Sequence, residues 1–367
     1  MADTSVATGL TVQQWDDKYF REYLGWNKFA KYMGTSENSI IQVKEDLTKK
    51  KGDSVTFALV NRLVGSGVTG SNTLEGNEEA MESRSHKLTV DQVRNAVRVP
   101  MLDEQFSAIS LRNAARPTLL DWSMEYMRDE IVAVLGDING VVYGSASEAQ
   151  KDAWLDDNND RVIFGAALGN TDATGGTVAY DFSDSTATID NTADKISASL
   201  LSLAKRRAKA ASPKIRPIRV REAGDEEWYV FLCNSLVFRD LRADTTILAA
   251  DREARARGVT NPLFTGGDLL YDGIIIREIE EIPVYAEGAS SIDIAPGFFC
   301  GAQAVGVGYA MRSNTVEEVF DYGDKHGVAV REVRGIDKLR FGSGSADTDD
   351  LKDHGVLTVW TAAVGDA

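Results

Sequence analysis

The sequence predicts an α+β protein, and three observations carry that prediction. Residues 101–135 have helical periodicity over a length that spans a domain. Residues 49–99 alternate like two long strands around a polar loop. From Glu227 onward, short apolar strands alternate with helical stretches. The 367 residues suffice for two or three domains and a sizeable core.

The helical segment is the strongest element. From Pro117 on, Leu120, Met124, Met127, Ile131 and Val134 recur at steps of four and three, which is one helical face. Asp121, Glu125, Arg128 and Asp129 fall opposite. Pro117 suits a first helical turn, where its missing N–H costs nothing. Asp103 to Ala115 is also helix-friendly, with Phe106 and Ile109 spaced to share a face. The segment therefore reads as one helix kinked at Pro117, or as two end to end, spanning roughly 45–50 Å.

Ahead of it, residues 1–48 form an arm dense in aromatics: Trp15, Tyr19, Phe20, Tyr23, Trp26, Phe29 and Tyr32. The rings either pack on the chain's own core or are buried on a neighbouring subunit. In residues 49–99, Val55, Phe57 and Leu59 alternate along a first strand. The return strand has two phases: Leu88 and Val90 share one parity, Val93, Val97 and Val99 the other, which predicts a bulge or bend near Asp91. Between the strands, Gly65 to Arg84 is a polar, Gly-rich loop of a length usually reserved for function. A two-stranded ribbon is marginal alone in water, so this one is expected to lie across something else.

Two motifs in these loops mislead. Gly65-Ser-Gly67-Val-Thr-Gly70 matches the dinucleotide fingerprint, but no helix-forming pattern follows to present N–H groups to a phosphate. Asp156 to Asp160 resembles a calcium loop, yet Arg161 replaces the turn glycine and Ala167 the bidentate glutamate, so a solvated surface loop is expected.

Residues 136–190 read as polar and irregular, with an exposed insertion at about 140–190 and an edge strand around Thr177–Tyr180. Residues 192–211 form a helix in which Ile196, Leu200 and Leu203 share a face. Its basic end (Lys205, Arg206, Arg207, Lys209) runs on into Lys214, Arg216, Arg219 and Arg221, for contact with DNA or an acidic partner, or for capping and ion pairs between subunits. A buried strand at Glu227–Leu232 leads to a helix at Ser235–Ala243 carrying Arg239, Asp240 and Arg242. After a loop at Thr260–Asp268, strands follow at Gly273–Glu278 and Ile282–Tyr285, then a Gly-rich apolar segment at Phe298–Tyr309, further strands from Glu317 to Phe341, and one at Val356–Trp360.

Composition narrows the function. A net charge of −16 argues against gripping nucleic acid along the chain. No apolar run approaches the roughly 20 residues of a membrane span, and the first residues lack the pattern of a signal peptide. Cys233 and Cys300 sit in apolar runs and read as buried reduced thiols. The three histidines, His86, His326 and His354, have no metal-ligand spacing, and no hydrolase, zincin or Walker motif is present. Acidic pairs are too numerous for a glycosidase-type dyad to be singled out. No catalytic, cofactor or metal residue is expected.

Seven stretches in a fixed order carry a resemblance: Leu74–Val97, Asn159–Gly165 (NDRVIFG), Trp228–Asp244 (WYVFLCNSLVFRDLRAD), Gly266–Val284, Gly297–Ala310, Asp321–Phe341 and the HGVLTVWTAA near the end. With them the chain, from about residue 40 onward, resembles the major capsid proteins of tailed bacteriophages, whose fold was first described for the Hong Kong phage. It is most similar to the family typified by the N-four-like podoviruses. Cys233-Asn234 departs from the His-Pro-like pair expected after the strand.

The resemblance implies a Hong Kong phage-type α+β fold and no active site. Residues 1–48 would be the N-terminal arm, 49–99 the extended loop, 100–135 the spine helix of a peripheral domain, 136–305 the axial domain and 306–367 the remaining peripheral strands. It implies self-association into hexamers and pentamers of a shell around double-stranded DNA. Scaffolding, portal and decoration proteins would be its partners, with only weak, non-specific proximity to the DNA. The residues expected at subunit contacts are Trp15, Tyr19, Trp26, Phe29, Leu63, Val64, Val68, Leu74, Glu78, Glu79, Arg84, Arg239 and Arg242. Two other readings compete: an encapsulin-like bacterial compartment on the same fold, and a soluble nucleotide-binding enzyme using Gly65–Gly70.

Overall fold

The computed structural model describes residues 28–45, 47, 52–63, 65, 67–107, 110–166, 180–220, 226–249 and 269–366. In chain order, β1 (Met33–Gly34) and β2 (Ile41–Lys44) precede β3 (Ser54–Val60), β4 (Ser83–Thr89) and β5 (Asp91–Pro100). Helices α1 (Met101–Phe106), α2 (Leu111–Leu135) and α3 (Glu148–Asp157) follow, then β6 (Val162–Phe164), α4 (Phe182–Ala187) and α5 (Ala198–Ala210). Next come β7 (Ile218–Val220), β8 (Glu226–Cys233), α6 (Ser235–Ala243), β9 (Leu269–Tyr271), β10 (Ile274–Glu278) and β11 (Ile294–Cys300). The last strands are β12 (Val305–Phe320), β13 (Lys325–Lys338), β14 (Arg340–Gly342), β15 (Leu351–Asp353) and β16 (Val356–Ala362). The described chain forms a larger unit (Lys28–Asp91, Arg128–Ala310 and from Arg334 on) and a smaller one (Gln92–Met127 and Met311–Val333).

The larger unit is built on a mixed sheet of order β6-β16-β11-β8-β10-β9, with β7 on the side of β8. β11 pairs antiparallel with β16, and β8 pairs parallel with β10. The central parts of β8, β10, β11 and β16 are buried on both sides, because both faces are covered. On one face Tyr229, Phe231, Phe299, Leu357 and Val359 pack against Leu200, Leu201 and Ala204 of α5 and Val237, Phe238 and Leu241 of α6. On the other, Val162, Phe164 and Trp360 pack against Trp154 and Leu155 of α3 and Phe182 of α4. Residues 136–190 therefore hold two helices and a strand where an irregular stretch was expected. Their apolar positions are few but large, too sparse for a periodicity argument. The expected edge strand at Thr177–Tyr180 lies almost wholly outside the described residues, as does the loop Thr260–Asp268.

Local caps explain the helix starts. Asn234 Oδ1 accepts from the Leu236 N–H at 3.0 Å, and its Nδ2 donates to the Ile282 carbonyl. The asparagine that broke the expected pair is thus a helix N-cap. Ser197 Oγ caps α5, and Asp181 Oδ1 caps α4 from the Asp184 N–H at 2.9 Å. Ile282–Tyr285 is not a strand; only an isolated bridge joins Tyr285 to Ile294. Pro283 offers no N–H to a ladder.

The helical segment differs from its prediction in two ways. The break falls after α1, at extended Ser107 (ψ 138°), and Pro117 lies inside α2. Proline so early in a helix removes one bond, to the Asn113 carbonyl, and Asn113 is exposed, where solvent can satisfy it. The buried face is also rotated: Ala115, Leu119, Ile131, Val132 and Leu135 are inside, while Leu120 and Met124 are exposed. In the smaller unit, Ala115 and Leu119 pack on Val328 and Val330 of β13, in a sheet of β12, β13 and β5. The phase change near Asp91 is a change of sheet: β4 pairs with β3, whereas β5 pairs with β13. Within the larger unit the first part of β12 pairs parallel with β2, Val305 opposite Ile41.

The rotated face gives a direct test. In the dissociated chain, Leu119→Ala should lose about 2–5 kcal/mol of unfolding free energy in a denaturant titration. Leu120→Ala should stay within about 0.5 kcal/mol of the parent.

Candidate assembly surfaces

The hairpin of β3 and β4 is paired throughout, from Ser54 opposite Thr89 to Val60 opposite Ser83. Alternation puts Val55, Phe57 and Leu88 on one face, which is buried against Leu339 and Phe341 of the same unit. Glycines shape the seat. A Cβ on Gly308 would stand 2.9 Å from Val55 Cγ2 and 3.0 Å from Leu88 Cδ2, and one on Gly335 would stand 2.1 Å from the Thr89 carbonyl oxygen. Polar contacts add to it. Arg84 donates to the carbonyls of Gly342 (3.1 Å) and Gly344 (2.7 Å). Ser85 donates through its N–H (3.2 Å) and hydroxyl (2.6 Å) to Asp347. Lys44 donates to the Thr56 carbonyl at 2.8 Å and lies over the Phe57 ring. What the ribbon lies across is therefore its own chain, and Arg84 anchors its root instead of reaching outward.

Beyond the root, the described residues between 61 and 82 form no helix or strand. Glutamates fold this tip: Glu79 accepts from the Gly65 N–H at 2.7 Å and Glu78 from the Gly76 N–H at 2.8 Å. Leu63, Leu74 and Met81 are exposed and Val68 is half-buried. Gly67 and Gly70 take positive φ, and the next element is a strand, so the Gly65–Gly70 motif opens no helix for a pyrophosphate.

A second apolar surface belongs to the smaller unit. α1 buries none of its residues; Met101, Leu102 and Phe106 (78% exposed) all face outward. Met101 donates its N–H to the Asp324 carbonyl at 2.8 Å, which sets α1 beside the β12–β13 turn, where Tyr322 is fully exposed. Nearby, Arg112 Nη2 meets Glu317 at 2.7 Å and Arg116 takes the other carboxylate oxygen. Sequence reasoning missed this surface because its residues look like the core face of an ordinary helix.

The other expected contact residues are scattered. Phe29 is 1% exposed, buried in its own chain. Arg239 pairs with Asp240 at 2.9 Å, donates to the Val364 carbonyl at 3.0 Å and reaches Asp366. Arg242 is exposed near the Phe238 ring. Trp15, Tyr19, Trp26 and Val64 lie outside the described residues. The basic run is largely paired within the chain: Lys205 with Asp272 at 2.9 Å, Lys209 and Arg219 with Glu227 at 3.8 and 3.6 Å, Arg216 with Glu37 at 3.7 Å.

The aspartate-rich stretch is no surface loop. Asn158 is fully buried, donating to the Trp154 and Leu351 carbonyls and accepting from the Asp353 N–H. Arg161 is buried with its guanidinium on the carbonyls of Asp353, His354 and Pro213. Glu148, Asp152 and Asp181 bring carboxylate oxygens within 4.8 Å of one another, but Asp152 and Asp181 already accept from the N–H groups of Phe182 and Asp184. A cavity of about 220 Å³ in the larger unit is walled mainly by apolar groups such as Val132, Tyr285, Phe298 and Trp360.

A surface of anchored and outward-facing apolar groups is what assembly needs, and known proteins agree. The phage capsid protein family model matches residues 3–365. This chain belongs to that family. The major capsid protein of Pseudomonas phage KPP25 is 31% identical over 95% of this chain and 94% of its own length. The capsid of cyanophage Pam1 superposes over the whole of both chains with a TM-score of 0.83 at 33% identity. The capsid of Ralstonia phage GP4 covers both chains fully with a TM-score of 0.77; at 24% identity it speaks for the fold alone. The chain is thus a tailed-phage major capsid protein, a self-associating structural subunit of the icosahedral head and a component of the virion. It is not an enzyme, and the nucleotide-binding and bacterial-compartment readings give way.

Two outcomes are expected of this capsid protein. Gly335→Ala should push Thr89 off its seat, raising amide exchange in residues 83–89 about tenfold or more over the parent, since overpacking costs about 1–3 kcal/mol. Burial, reinforced by Arg161 and Arg216, pushes the His354 imidazole down to about 4. The unfolded chain then binds the extra proton between an ordinary imidazole's range and that value, so stability is full at neutral pH and falls with acidification. The His354 contribution to unfolding free energy between pH 7 and pH 4 should be about 3 kcal/mol, read as the difference from His354→Gln.

Proposed function

We propose that this capsid protein closes into hexamers and pentamers whose sister copies meet at two apolar surfaces, the hairpin tip and the α1 end of the smaller unit. The observation that carries the reading is that apolar side chains cluster outside a well-filled core at these places: Leu63, Leu74 and Met81 on the tip, and Met101, Leu102, Phe106 and Tyr322 at α1 and the turn. Singly exposed apolar residues are ordinary, but clustered ones mark interfaces. Heterologous contacts close rings of five and six, and a tip anchored only at its root can meet slightly different neighbours. Val68, Glu78 and Glu79 belong to the same contact, the glutamates by shaping the tip. The aromatic residues Trp15, Tyr19 and Trp26 and the charges Arg239 and Arg242 complete the expected contact set.

In this scheme residues 49–99 are the extended loop, 100–135 the spine helix, 136–305 the axial domain and 306–367 the remaining peripheral strands, with 1–48 as the arm. The ordered motifs from Leu74 to Ala363 favour a place near the N-four-like podovirus capsids. Scaffolding, portal and decoration proteins are its partners during head assembly. The charge of −16 keeps packaged DNA at a distance, so its contact with DNA is weak and non-specific.

The experiment is assembly itself. Purified chain, with scaffolding protein supplied if required, should give shells of hexamers and pentamers by electron microscopy. Leu102→Asp with Phe106→Asp should leave the dissociated chain folded by circular dichroism but cut shell yield at least about tenfold, since desolvating a charge in an interface costs several kcal/mol. Undiminished shells from the double variant would remove the α1 end from the interface.

A further inference from the structure

We propose that the cavity in the larger unit is a binding site for a small, neutral, flat aromatic molecule that carries a hydroxyl group. This goes beyond the assembly reading and stands on the larger unit alone. The cavity measures about 220 Å³. An apolar protein cavity of about 150 Å³ holds benzene, so a two-ring system is within reach of this one.

Three parts of the fold converge on it. Val132, near the end of α2, Phe298 of β11 and Trp360 of β16 all line the cavity. Tyr143 and Tyr285 add two more rings to the lining. Tyr143 lies 4.5 Å from Tyr285 and 5.3 Å from Trp360 between ring centroids, and Tyr285 lies 6.0 Å from Trp360. A further flat ring meets such a wall by offset stacking or edge-to-face contact. The lining is exposed at Asp129, Ala133 and Val142, which form the mouth.

The polar groups of the lining set the ligand's charge and its hydrogen bonds. Lys338 spends its ammonium hydrogens on the Asp137 carbonyl at 2.8 Å, the Asp137 carboxylate at 3.2 Å and Asp353 at 2.8 Å. Asp137 is gripped in addition by Arg340. At the mouth, Arg128 pairs with Asp129 and with Glu281 Oε1, both at 2.9 Å. Each charged group of the lining therefore has its ionic partner already. A charged ligand would be desolvated here with no opposite charge left to meet it. Two buried atoms of the lining are different. The indole Nε1 of Trp360, a residue 3% exposed, and Glu281 Oε2 have no hydrogen-bond partner among the described residues. Buried polar atoms are ordinarily matched, and leaving them unmatched is costly. One of these is a donor and the other an acceptor, and a hydroxyl can accept as well as donate. Water would serve the two atoms but not the aromatic wall. A bare hydrocarbon would fill the space and leave both atoms unmatched. A hydroxylated aromatic does both.

The test uses naphthol as the probe on the dissociated full-length chain. Calorimetric titration should show one site per chain. Naphthalene, which cannot match the two polar atoms, should bind about tenfold or more weakly than naphthol. Naphthoate, which is charged, should fail to displace naphthol. Ala133→Trp and Val142→Trp place bulk at exposed positions of the mouth, so the fold should keep the circular dichroism of the parent while naphthol affinity falls about tenfold or more. As a measurement that needs no variant, bound naphthol should give nuclear Overhauser contacts to the Val132 methyl groups. Absence of naphthol binding at about 1 mM, which would leave water alone as the cavity's occupant, would overturn the site. So would naphthalene bound as tightly as naphthol, or full naphthol affinity in both mouth variants.

Discussion

The ammonium of Lys338 sits where the larger unit is tied together. It joins the end of α2, through Asp137, to β15, through Asp353, and Asp353 also accepts from the Trp154 indole of α3. Burial works against the lysine's charge, but Asp353 and Asp137 outweigh it and keep it ionised above the usual range. Each member of such a cluster depends on the others, because removing one strands a buried charge. Arg340 extends the cluster to Asp337 and thence to the hairpin. The end of α2, α3, β4 and the run β13–β15 are fixed to one another by interactions that tolerate little displacement.

That rigidity suits a shell subunit. The mixed sheet is covered on both faces and the hairpin root has a seat cut to fit by Gly308 and Gly335. Among the apolar groups left outside are those on the tip of the hairpin and on α1 with the adjoining turn. A container wall needs this division. Apolar groups that complete the subunit must be buried at once, while those that complete the assembly must wait.

Strong local signals were read correctly. Uninterrupted apolar runs such as Trp228–Leu232 and Val356–Trp360 are strands, and the helix at Ser235–Ala243 has its predicted bounds. The parity change near Asp91 does mark a break in the strand. The helix α2 was seen but its face was turned, since Leu119 and Leu120 are equally apolar and only the position of β13 decides which is inside. α3 and α4 were missed because each contributes one or two large side chains, Trp154 and Phe182, to a core assembled from other segments. Exposure was legible in part: the tip was expected to face outward and does, while α1 looked like part of the core and is exposed.

The sequence by itself determined the fold class, the absence of any catalytic motif and the family to which the ordered motifs point, because these depend on local patterns of residue type and their succession. Tertiary structure alone decided that the hairpin's root rests on its own subunit, that His86 meets Asp337, and that Lys338 is held between Asp137 and Asp353. The longest of those contacts join residues more than 200 positions apart, with separations of 251 for His86 and Asp337 and 201 for Lys338 and Asp137. No pattern along the chain encodes such a pairing, because it exists only once the sheets have brought their edges together.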